Sequence, residues 1–67
     1  MLRLRRLRLL AGLSQAALSR ETGTIHPTTV SNIERGRENP TRRELEMFAD
    51  ALGYKGDPAE LTEDVTE

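Results

Sequence analysis

Apolar residues recur along this 67-residue chain at the spacing of helix faces, and nowhere alternate as a strand would. Leu4, Leu7 and Ala11 follow an i, i+3, i+7 pattern, which predicts a helix over about 2–11 with that face toward a core. Gly12 punctuates it. Ser14 is placed to cap a second helix over 14–22, anchored by Leu18, and Gly23 stands where a left-handed residue would close it. Pro27 suits the first turn of a third helix over 27–35, because a missing N–H costs nothing there. Val30 and Ile33 lie three apart and face inward, which leaves Thr28, Ser31 and Asn32 pointing outward. Gly36 ends that helix and a polar loop runs to Pro40. Thr41 and Glu44 read as the capping box of a fourth helix over 41–52, whose Leu45, Phe48, Ala49 and Leu52 share one face. Asp57-Pro58-Ala59-Glu60 reads as a second capping box, opening a short fifth helix over 58–65 that carries Leu61 and Val65. The expectation is one all-α domain over residues 1–67, five helices joined by short loops.

The second and third of these helices, joined through Gly23, have the grammar of a helix-turn-helix. Composition narrows what such a domain can do. With no cysteine there is neither a disulfide nor a thiolate metal site, which fits a cytoplasmic setting. No apolar run approaches the length of a membrane span, and the arginines and leucines of the first residues lack the continuous apolar stretch of a signal peptide. One histidine, no glycine-rich phosphate loop and no cluster of metal ligands argue against an enzyme and against a metal or other cofactor. Glu44 and Glu46 are two apart on a helix, so they do not form a facing carboxylate pair.

A net charge of −1 conceals a strong asymmetry. Residues 1–43 hold nine Arg and three Glu, a balance of +6, while residues 44–67 hold one Lys and eight acids, a balance of −7. Phosphate contact depends on a local face, so the asymmetry matters more than the total. For Arg3, Arg5 and Arg6, simple solvation of a helix face is the expected role.

Arg8, Leu13-Ser14-Gln15, Leu18, Gly23, Val30, Ile33-Glu34-Arg35-Gly36, Asn39-Pro40 and Leu45 through Ala51-Leu52-Gly53 together resemble the phage repressor and Cro-type helix-turn-helix family, also called the xenobiotic-response-element family. The resemblance covers about residues 4–61. It implies a lambda-repressor-like five-helix DNA-binding domain that docks its third helix in the major groove of double-stranded DNA, as a homodimer on a two-fold operator. A transcriptional regulator that represses is the function so implied.

The same resemblance suggests roles for individual residues. Gln15, at the start of the second helix, is expected to touch the DNA backbone or an outer base, since free N–H groups at a helix N-terminus favour a phosphate. Thr28, Ser31 and Asn32 occupy base-reading positions, with Asn32 foremost because its amide can bond adenine N6 and N7 together. Thr29 is expected at a phosphate, and His26 next to the helix cap. Arg35, Arg37, Asn39, Arg42 and Arg43 flank the end of helix three and the start of helix four and are expected to meet phosphates. Arg8 and Glu34 are expected to form a structural ion pair tying helix one to helix three.

Two features depart from the family pattern. Between Gly23 and Val30 the chain has one residue more than usual, which should lengthen the turn and shift the start of the third helix. Ser19 replaces a small alanine, and its hydroxyl needs a partner if buried. For protein contacts, Leu2 and Leu9 are placed on a face opposite Leu4 and Leu7, with Leu10 at its flank. The family resemblance implies dimer contacts from the region after helix four, here Gly53 to Val65 with Leu61, Val65 and Tyr54, where Leu61 either closes the monomer core or faces a partner; the leucines of helix one would form a second contact. A rival function uses the same fold as a protein-binding module, for example an antitoxin that masks a toxin.

Overall fold

In the computed structural model, residues 1–66 are described and Glu67 lies outside them. Four α-helices follow in order: α1 Arg3–Leu10, α2 Gln15–Thr22, α3 Pro27–Glu34 and α4 Arg42–Leu52. A 3₁₀ turn over Pro58–Thr62 takes the place of the expected fifth helix. The local chemistry explains this. Asp57 does cap the turn, its Oδ1 accepting from the Ala59 N–H at 3.0 Å. The reciprocal half of a capping box is missing, because the Glu60 carboxylate instead accepts from the Tyr54 hydroxyl. Beyond Thr62 the chain runs extended beside its own beginning: Leu2 and Asp64 form an antiparallel bridge. The Arg3 N–H donates to the Glu63 carbonyl and the Val65 N–H to the Met1 carbonyl, both at 2.8 Å.

The core is aliphatic around a single ring. Phe48, Leu4, Leu18, Ile33, Leu61 and Val30 are fully buried, joined by Ile25, Leu45 and Ala49. Every helix contributes at least one of them, so the core is one contiguous cluster. Leu61 closes it from the 3₁₀ turn and is not free to pair with another chain. Helix α1 ends at Leu10, one residue short of the end that periodicity suggested. Ala11 is exposed rather than core-facing, because the chain turns through Gly12. Leu2 is likewise misplaced by the face argument: it is half-buried and packs against the core.

Candidate nucleic-acid interface

Helices α2 and α3 form the helix-turn-helix. Ser14 begins it, its hydroxyl accepting from the Ala17 N–H at 3.0 Å. Gly23 closes α2 at φ +80°, a conformation that a side chain would strain. The turn runs from Gly23 to His26, and α3 starts at Pro27. Thr24 is exposed, its hydroxyl 3.8 Å from the Met47 sulfur, and Ile25 folds down into the core. Two side chains of α2 hold that excursion. The Thr22 hydroxyl accepts from the Ile25 N–H at 3.2 Å, and the buried Ser19 hydroxyl donates to the Ile25 carbonyl. The serine therefore serves the lengthened turn, and its burial leaves no polar group unpaired. His26, expected beside the cap, is the cap itself: its Nδ1 accepts from the Thr28 N–H at 3.2 Å, and Pro27 takes the first helical position.

A buried ion pair holds α3 against α1. Arg8 Nε donates to Glu34 Oε2 at 2.7 Å and Arg8 Nη2 donates to Oε1 at 3.0 Å, a two-pronged contact with both side chains nearly sealed from solvent. The third nitrogen of Arg8 donates to the Leu13 carbonyl at 2.7 Å, which ties in the loop before α2. Gln15 joins the same centre, its Nε2 donating to Glu34 Oε1 at 3.1 Å. The carboxylate of Glu34 is acceptor-only, so it fixes the orientation of the Gln15 amide, NH₂ inward and oxygen away. One acidic residue thus sets the relation of α1, the α1–α2 loop, the start of α2 and α3.

What remains on α3 after Val30 and Ile33 turn inward is a polar edge. Thr28 is exposed, while Thr29, Ser31 and Asn32 are half-buried. Past its end, Arg35, Arg37 and Asn39 are exposed in the loop, and Arg43 is exposed on the first turn of α4. Among the described residues none of these three arginines has an acidic partner within ion-pair distance. Arg42 differs. It lies 3.3 Å from Glu46 and 3.6 Å from Asp57, so part of its charge is already answered. The α4 N-terminus beside them is fully capped: the Thr41 hydroxyl accepts from the Glu44 N–H and the Glu44 carboxylate from the Thr41 N–H.

Sequence reasoning missed the work of Arg3 and Arg6, expected merely to solvate α1. Arg3 donates to the Glu60 carbonyl and pairs with Glu63 at 3.2 Å, while Arg6 donates to the Thr66 carbonyl. Among the described residues no group of side chains is arranged to hold a metal ion. No helix of the structure is long and apolar enough to cross a membrane.

A capped two-helix unit with an outward polar edge, framed by exposed arginines, defines the class as helix-turn-helix. The chain matches the family described as helix-turn-helix domain over residues 2–62, and it belongs to that family. It is accordingly a DNA-binding regulator by family. No curated protein and no solved structure matches the chain.

Proposed function

We propose that the protein is a sequence-specific repressor of transcription of the Cro and phage-repressor type, reading the major groove of double-stranded DNA with α3. The observation that carries this reading is the division of α3: Val30 and Ile33 are buried, while Thr28, Ser31 and Asn32 stay on the side away from the core. A helix held by one face and polar on the other fits the groove, and its first turns reach base edges. Asn32 reads adenine through N6 and N7. Thr28 offers a hydroxyl or a methyl to the base beside it, and Ser31 a hydroxyl. Gln15, its amide oriented by Glu34, presents its oxygen to a base donor at the edge of the site, while the start of α2 meets a phosphate. Thr29, Arg35, Arg37, Asn39 and Arg43 hold the backbone. Arg42 contributes less than these, since Glu46 and Asp57 compete for it. More than one copy binds each operator.

Selection of bound sequences from random DNA, run in parallel with wild type and Asn32→Ala, tests this. Wild type is expected to enrich a defined site, and the variant to lose preference at one adenine position at a cost of about 1–3 kcal/mol in discrimination. Enrichment with the same preference at every position in both would remove Asn32 as a reader. Absence of enrichment together with a stoichiometric protein complex would favour the antitoxin reading.

A further inference from the structure

Glu34 does more than hold Arg8. Its Oε1 accepts from two neighbours, Arg8 Nη2 at 3.0 Å and Gln15 Nε2 at 3.1 Å, while its Oε2 accepts from Arg8 Nε at 2.7 Å. The Glu34 side chain is 3 % exposed, so these partners rather than water decide its geometry. By gripping both oxygens, Arg8 keeps the carboxylate from turning away from Gln15.

The side chain of Gln15 has two unlike ends of nearly the same shape, an oxygen that accepts and a nitrogen that donates. Unconstrained, such an amide turns over about its last bond, where the torsion is broad and two-fold. A carboxylate only accepts, so Glu34 takes the nitrogen and refuses the oxygen. The Gln15 oxygen accepts no hydrogen bond among the described residues. It is not buried either, because no buried side-chain polar atom lacks a partner among them. Gln15 is half-buried at the start of α2, with Ser14 and Ala16 exposed on either side. On α3, Ser31 lies one turn back from Glu34 on the same face. The oxygen therefore stands free at the flank of the polar edge of α3.

We propose that Glu34 is a specificity-determining residue acting through Gln15: by fixing the amide, it makes Gln15 accept from a base amino group and reject a keto group. The inference rests on the reading of α3 as a major-groove helix given above. In that groove adenine offers N6–H₂ and cytosine N4–H₂, whereas guanine offers O6 and N7 and thymine offers O4, all acceptors. The Gln15 oxygen bonds the first two bases and is repelled by the other two. A glutamine free to turn over would accommodate both classes. Glu34 itself touches no DNA and is a positioning residue.

Selection from random DNA with wild type, Gln15→Ala and Glu34→Gln tests this, with circular dichroism confirming that each variant is folded. Gln15→Ala is expected to identify the position, by losing preference there and nowhere else. At that position wild type is expected to favour amino over keto bases on the contacted strand by about fivefold or more. Glu34→Gln is expected to bring that ratio toward one while the other positions keep theirs, because an amide at 34 both donates and accepts and lets Gln15 present either end. A merely structural role would weaken binding to every site alike. Should Glu34→Gln not fold, two measurements on wild type decide. One is a scalar coupling across the hydrogen bond from Gln15 Nε2 to the Glu34 carboxyl carbon, expected in the free protein. The other is an affinity loss of about fivefold or more when a base analogue lacking the amino group replaces the contacted base, a loss expected to vanish in Gln15→Ala. A guanine or thymine preference at the Gln15 position, an unchanged ratio in folded Glu34→Gln, or a missing coupling would overturn the inference. So would a Gln15→Ala variant that changes no position of a site the wild type enriches. A wild type that enriches no site would fail the major-groove reading itself, and this inference with it.

Discussion

Arginine does two different jobs on two sides of this molecule. On α1, Arg3, Arg6 and Arg8 are bound up within the chain, two by the extended C-terminal segment or the turn before it and one by Glu34. Around the end of α3, Arg35, Arg37 and Arg43 are exposed and have no acidic partner among the described residues. The positive balance of residues 1–43 is therefore not one reservoir of phosphate contacts. Part of it is spent as mechanical ties, and three of the exposed arginines without an acidic partner among the described residues lie at the end of α3 and the start of α4. Net charge, even split by halves, counts charges without asking which are already answered.

The sharpest way to break the contrast is to strand the buried arginine. Glu34→Ala leaves Arg8 uncompensated, and urea unfolding is expected to show a loss of about 3–5 kcal/mol. A double replacement, Arg8→Met with Glu34→Leu, is expected to recover most of it, which would show that the pair orients α3 more than it stabilises the fold. A loss under about 1 kcal/mol for the single variant would mean that the pair is not sealed. Next in size is Thr41→Ala, which removes one hydrogen bond of the α4 capping box and should cost about 1 kcal/mol in the same assay.

The two arginine classes separate in a salt titration of DNA binding. Arg37→Ala is expected to lower the slope of log affinity against log salt by about one unit, with stability within about 0.5 kcal/mol of wild type. Arg3→Ala should leave the slope unchanged. Equal slopes for the two variants would erase the distinction drawn here.

The smallest effect concerns Tyr54, the chain's one tyrosine. The hydrogen bond it donates to Glu60 raises its pKa above the ordinary value, and burial and the negative charge of Glu60 act in the same direction. The folded chain thus holds this proton more tightly than the unfolded one. The resulting stabilisation is complete below the unfolded value of about 10 and is lost as pH rises through the higher folded value. Phenolate absorbance, undisturbed by tryptophan, is expected to show a native midpoint above about 10, and Glu60→Gln should lower it. A native midpoint at or below the free value would remove the bond.

Much of the reading unit was legible in the sequence because its signals are local. Ser14, Gly23, Pro27 and the Thr41–Glu44 pair act within a few residues of themselves, so spacing alone locates the ends of α2, α3 and α4. The Arg8–Glu34 pair was anticipated through the family resemblance together with its place on inward faces. The C-terminal segment was illegible for the opposite reason. Asp57 through Glu60 has the letters of a capping box, yet Tyr54 takes the carboxylate that would complete it. The residues beyond are then drawn into pairing with Met1 to Arg3, some sixty positions away in sequence, where no periodicity can signal it. Ile25 was missed too: only the coordinates show that the extra turn residue lets a buried side chain drop between α2 and α3.

The pairing of Leu2 with Asp64 has a practical corollary. It sets residues 1 and 65 side by side, with the Met1 carbonyl accepting from the Val65 N–H. Covalent closure across that junction by a few glycines should therefore yield a cyclised or circularly permuted protein with native packing, reopened at an exposed loop such as Arg37–Asn39 or Lys55–Gly56. Reopening at the first of these would cut the loop proposed to hold phosphates, and reopening at the second would spare it.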